Sequence, residues 1–137
     1  MSTLLLDTGP LFAYLCGTDV HHDWAMKQFG AVAGPLLSCE PVLAETAYLI
    51  SQRGGELDAL WAFLRRGVIR LPFRLESEFE GVAALMRRYC DVPMDLADAC
   101  LVRLSEQHRD CYLLTTDSDF RFYRRFGRQV IPLVSPA

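Results

Sequence analysis

Lysine is almost absent from this chain: Lys27 is the single lysine, and the other thirteen of the fourteen basic residues are arginine. Long apolar runs are absent too. None approaches the roughly 18 residues needed to span a bilayer, and the most apolar stretch, 41–50, is interrupted by Glu45. The first seven residues lack the basic n-region and small-residue cleavage site of a signal peptide, so the expectation is a cytoplasmic protein with no membrane association. The five cysteines are odd in number and widely spaced, with no C-x-x-C pair. That spacing excludes a disulfide framework or a zinc ribbon. Four of the five (Cys16, Cys39, Cys90, Cys100 and Cys111) sit in apolar stretches, which predicts buried, reduced thiols and a reducing compartment. His21 and His22 are adjacent and point apart on a helix, with no second ligand pair at zinc spacing.

A net charge of −3 gives no overall basic signature for nucleic acid. The arginines are nevertheless clustered: Arg65, Arg66 and Arg70; Arg87 and Arg88; Arg121, Arg124, Arg125 and Arg128. Arginine favours bidentate phosphate contacts, but at helix ends it also complements the dipole.

A chain of 137 residues, 51% hydrophobic, suits one domain spanning residues 1–137. Apolar runs predict strands at 3–6, 36–39, 68–71, 111–115 and 130–133. Between them, helical periodicity and capping signals predict helices opening at Pro10, after an Asp19 N-cap, at Glu40-Pro41, over 55–66, 76–89 and 95–108, with a short one at 120–125. This alternation predicts an α/β fold with a mainly parallel central sheet and helices on both faces, a three-layer α/β/α sandwich.

In such sheets ligands bind beyond the carboxyl ends of the strands. Asp7 ends the first strand and Asp117 follows the fourth, each after an apolar run where a charge is costly. Either could simply cap the helix that follows. Glu45 and Asp98 shift the balance, because they are embedded among Val42, Leu43, Thr46 and Ala47 and among Ala97, Ala99, Cys100 and Leu101, with no basic residue in either segment. One bound cation accounts for all four acids. Asp95 shares a face with Asp98 and is also placed to cap that helix. Carboxylates without histidine or cysteine imply a hard ion, Mg²⁺ or Mn²⁺. The corresponding chemistry is hydrolytic phosphoryl transfer with a metal-activated water.

Taken together, Leu5-Leu6-Asp7-Thr8-Gly9-Pro10-Leu11, Leu43-Ala44-Glu45-Thr46, Leu96-Ala97-Asp98-Ala99 and Leu114-Thr115-Thr116-Asp117-Ser118-Asp119-Phe120 resemble the four acidic motifs of PIN-domain nucleases, in order and across essentially the whole chain. The length and the Asp-Thr-Gly-Pro opening resemble the VapC-type ribonuclease toxins of toxin–antitoxin pairs. The resemblance implies a PIN-like fold, Mg²⁺- or Mn²⁺-dependent endoribonuclease activity on RNA, a homodimer and a cognate antitoxin. It implies metal ligation by Asp7 and Asp98, completed by Glu45 and Asp117, with Asp119 an extra acid and Thr115 and Thr116 orienting Asp117. The extra Asp95 and the near-absence of lysine depart from a generic toxin. Gly9 two residues after Asp7 excludes a haloacid-dehalogenase-type site, and the lack of a late lysine excludes a receiver domain. The alternative from another class is a PIN-like module that binds RNA or protein without cleaving it.

Overall fold

The computed structural model describes residues 2–136. Its centre is β1 (Thr3–Leu6), flanked by β2 (Leu36–Leu37) and then β3 (Ile69–Arg70) on one side. On the other side lie β4 (Cys111–Leu114) and the last strand (Leu133–Val134), giving five parallel strands in all. The two-residue period of β1 and β4 sorts their side chains onto opposite faces. Leu5 and Leu113 join Val82, Leu101 and Leu104 in one core, while Leu6 and Leu114 join Leu11, Leu36, Leu60 and Ile69 in the other. Each fully buried leucine contributes about 1.5–3 kcal/mol, and together they fix which helices cover which face.

The helices are α1 (Thr8–Leu15), α2 (His22–Gly30), α3 (Glu40–Gln52), α4 (Asp58–Arg65), α5 (Leu75–Arg88) and α6 (Leu96–Gln107). From β1 the chain winds outward through β2 and β3; α5 and α6 then return it to β4, on the opposite side of β1. This reversal opens a crevice at the carboxyl ends of β1 and β4, where such sheets bind ligands. The α/β expectation and the parallel sheet are both met. Among the described residues no helix is long and apolar enough to cross a membrane.

Several local expectations are corrected. Asp19 does not cap α2: its Oδ2 accepts the His21 N–H at 2.9 Å, in the turn before the helix. α3 is not buried around most of its circumference. Only Val42, Thr46 and Ile50 are buried, a single i, i+4, i+8 stripe, which leaves Glu45 exposed. Three cysteines rather than four are buried, since Cys16 is half-buried and Cys90 exposed.

The predicted helix at 120–125 is instead one 3₁₀ turn (Ser118–Arg121) followed by β5 (Arg124–Arg125), which forms an antiparallel hairpin with β6 (Gln129–Val130). The left-handed φ values of Phe126 and Gly127, 53° and 80°, make that turn. Arg125 is only 7% exposed and donates to the carbonyls of Ser105 and Arg109 at 3.0 and 2.9 Å, pinning the hairpin to the end of α6. Val130 is thereby used in the hairpin and Ile131 fills the core, so the final strand, β7, begins at Leu133 rather than at residue 130.

Candidate active site

Asp7 continues the sheet by one residue, its N–H donating to the Leu114 carbonyl at 3.0 Å. Its carboxylate is 6% exposed and held at both oxygens. Oδ1 accepts the Thr8 N–H at 2.7 Å, capping α1, and Oδ2 accepts the Thr115 hydroxyl at 2.7 Å. Thr115, fully buried, also accepts the Asp117 N–H at 3.0 Å through the same hydroxyl. Asp117 Oδ1 in turn accepts the Asp119 N–H at 2.9 Å. Capping and site-building are therefore not alternatives here, because each cap leaves lone pairs free and fixes where they point.

Thr116 packs directly on Gly9: a Cβ at position 9 would lie 2.0 Å from Thr116 Oγ1. The glycine of Asp-Thr-Gly-Pro is required by this close approach rather than by an unusual φ.

Asp98 enters from α6 and is 7% exposed. Asp95 caps that helix, accepting the Asp98 N–H at 2.8 Å, while its own N–H donates to Asp98 Oδ2 at 3.3 Å. Tyr123, fully buried, donates its hydroxyl to the same Oδ2 at 3.4 Å. Among the described residues Asp98 Oδ1 accepts no hydrogen bond. Tyr123 was not legible in the sequence. It stands among arginines in a segment that reads as a helix, and only the hairpin turns its ring inward, edge-on to Tyr89 at 5.2 Å. Thr8 was also missed: its hydroxyl is buried with no hydrogen-bond partner among the described residues.

Burial pushes the Asp7 carboxyl up to about 6; the fields of Asp117 and Glu45 add to it, and the Thr115 and Thr8 hydrogen bonds oppose it. Burial likewise raises Asp98 to about 8, followed by the fields of Asp95, Asp7 and Asp117. Glu45 is raised, first by partial burial and then by Asp95 and Asp117. Asp117 contributes to the rise of all three, and Asp95 is the largest charge acting on Asp98 and on Glu45, so these five acids share one electrostatic neighbourhood.

The only ion pairs among the described residues join Arg103 to Glu78 and to Glu106, so these acids have no basic partner. Oxygen-only side chains without a basic partner, the raised Asp7, Glu45 and Asp98 among them, with the buried Thr8 hydroxyl next to Asp7, fit a hard divalent cation. Among the described residues no three His, Cys, Asp or Glu side chains form a ready-made cage.

Comparison with known proteins identifies the family. The PIN domain family profile matches residues 4–125. Ribonuclease VapC26 of Mycobacterium tuberculosis is 31% identical over 117 residues, covering 83% of this chain and 86% of that protein. The crystal structure of M. tuberculosis VapC20, described as a sarcin–ricin loop cleaving toxin, superposes with a TM-score of 0.73 at 20% identity, over 85% of this chain and 92% of that one. Profile and relative agree, and the chain belongs to the PIN-domain family.

Proposed function

We propose that this chain is a metal-dependent endoribonuclease of the VapC type, the toxin of a toxin–antitoxin pair, acting in the cytoplasm as one domain over residues 1–137. The observation that carries this reading is the pair Asp7 and Asp98. Both are buried and raised, without a basic partner, at the crevice where β1 and β4 end. Asp7, Asp98 and Asp117, completed by Glu45, would hold Mg²⁺ or Mn²⁺. Such an ion, when bound, neutralises charge on a phosphodiester and acidifies water.

The protein's own residues do the positioning. Thr115 fixes the Asp7 carboxylate and the backbone of Asp117 with one hydroxyl. Asp95 and Tyr123 hold Asp98 by Oδ2 and leave Oδ1 free. Thr116 sets the loop against Gly9, and Asp119 steadies Asp117 from its backbone. Glu45, exposed beside them with its carboxyl raised, is placed to take a proton.

The substrate class, RNA, follows from the ribonuclease relative and the acid chemistry. The antitoxin and the homodimer rest on the same kinship. α4 offers a candidate antitoxin surface. Leu60 is core, but Trp61 is 44% exposed and Leu57 and Leu64 are half-buried, whereas Leu11 and Phe12 of α1 belong to the interior.

RNA cleavage in Mg²⁺ or Mn²⁺, abolished by EDTA and by Asp7→Asn in a folded protein, is the expected result. A second reading, binding without cleavage, draws on the lack of a ready-made cage among the described residues. Cleavage that persists in EDTA refutes the metal mechanism, and RNA bound but never cut by the wild type favours the second reading.

A further inference from the structure

Asp117 has a second environment. Besides facing the acid cluster, it lines a cavity of about 160 Å³ together with His21, Ser118, Arg121, Leu133 and Ser135. The volume is below the roughly 300 Å³ at which small-molecule pockets begin, so it suits part of a chain rather than a whole ligand. Arg121 shares this cavity with Asp117 yet forms no ion pair among the described residues. Its backbone carbonyl is engaged, accepting from Arg124 at 2.6 Å, but its guanidinium donates to no described residue. Ser118 and Ser135 add hydroxyls, and the His21 imidazole stands edge-on to Trp24 with ring centroids 6.4 Å apart.

An electrostatic requirement gives this arrangement its meaning. RNA carries one negative charge per nucleotide, and a cluster of four carboxylates repels every phosphate except one facing a cation. The phosphates flanking the cleaved bond need positive charge from the protein, close to the acids but not paired with them. Arg121 is such a group, and its planar fork of donors matches a phosphate.

Resting on the ribonuclease reading above, we propose that the cavity beside Asp117 is a phosphate subsite for RNA, in which Arg121 receives the phosphodiester adjacent to the one cleaved. Ser118 and Ser135 offer hydrogen bonds to the same phosphate or its ribose, and Leu133 supplies an apolar wall. The subsite reads backbone rather than base, so it contributes affinity and register without sequence preference.

The test is the salt dependence of binding to a fluorescein-labelled, randomised single-stranded RNA, measured with Mg²⁺ in the non-cleaving Asp7→Asn background. Each phosphate contact on a single strand contributes about 0.7 to the slope of log K against log salt. Adding Arg121→Gln should reduce the slope by about that amount and weaken binding at low salt by on the order of tenfold, with the melting temperature unchanged. Arg121→Lys should restore most of the slope. Arg87→Gln, an exposed arginine at the end of α5, should leave it unaltered. An unchanged slope in Arg121→Gln, or an equal loss in Arg87→Gln, overturns the subsite and leaves the ribonuclease reading standing. Failure of both the background and the wild-type protein to bind or cut RNA at low salt overturns both.

Discussion

Thr115 and Asp7 are 108 residues apart in sequence and joined by a 2.7 Å hydrogen bond, buried between the ends of neighbouring strands. The Thr115 hydroxyl spends its proton on Asp7 and a lone pair on the Asp117 N–H. Its orientation is therefore fixed from both sides, and so is that of the carboxylate it serves.

Thr115→Val keeps the shape and removes that hydroxyl. Asp7 then loses the strongest influence opposing its burial, so its pKa should climb above about 6. Because partners that orient metal ligands typically contribute 10–100-fold, metal affinity should fall by about that factor, measured by calorimetry with Mn²⁺. Thr115→Ser should recover most of it. Equal affinities in wild type and Thr115→Val would assign the hydroxyl a purely structural role.

The raised carboxyls set a pH dependence of known sign. Asp7 and Asp98 are raised in the fold from 3.8 to about 6 and about 8, so between those values the native state binds more protons than the unfolded chain. Their contribution to stability is complete below about pH 4 and declines through about pH 6 for Asp7 and about pH 8 for Asp98. For Asp7 the decline is on the order of 3 kcal/mol. The metal-free protein should melt at a higher temperature near pH 5 than near pH 8.5. Asp98→Asn should flatten the upper half of that decline. Mg²⁺ or Mn²⁺ at a hundredfold excess over Kd should stabilise the wild type by about 2.7 kcal/mol and the variant much less. A metal-free melting temperature that rises toward alkaline pH would contradict the assignment.

Gly9→Ala should act through Thr116. The added methyl lies 2.0 Å from Thr116 Oγ1 and 3.2 Å from its Cβ. Overpacking of this kind costs about 1–3 kcal/mol. In the double variant Gly9→Ala/Thr116→Ala the 2.0 Å clash is gone, so denaturant unfolding should show a favourable coupling of about 1 kcal/mol between the two sites. Strictly additive effects would place the cost of Gly9→Ala elsewhere.

Trp61→Ala probes the proposed antitoxin surface. A half-exposed tryptophan at the centre of an interface contributes about 2 kcal/mol or more to binding. The expected result is a Kd for the antitoxin raised at least ~30-fold, with RNA cleavage by the free protein retained. An unaltered Kd would move the surface away from α4.

The parallel sheet and its helices were legible because the apolar periods change from two to near four at the strand–helix junctions; Asp7 and Asp117 fall at the ends of strands, and Asp98 in the first turn of α6, embedded among alanines. The burial of the helix around Glu45 was overestimated because α3 is rich in apolar residues on more than one side. Composition records how many such residues a helix has, but only packing selects the stripe of Val42, Thr46 and Ile50. The 124–130 hairpin was missed because its strands are two residues long and the first is a pair of arginines, which reads as a solvated helix end. Arg125 is instead buried against the carbonyls at the end of α6, an environment no local pattern announces. Tyr123 became visible as a partner of Asp98 only through that same hairpin.

The central strand pair also orders events in time. β1 meets β4 with Thr3 opposite Cys111, so the first strand made waits for nearly the last segment before its second edge is covered. A chain still emerging from the ribosome has Asp7 but neither Thr115 to orient it nor Asp117 to complete the cluster. On the proposed reading the site is therefore incomplete until the fourth strand is in place, and a chain truncated before that strand keeps an open edge on β1.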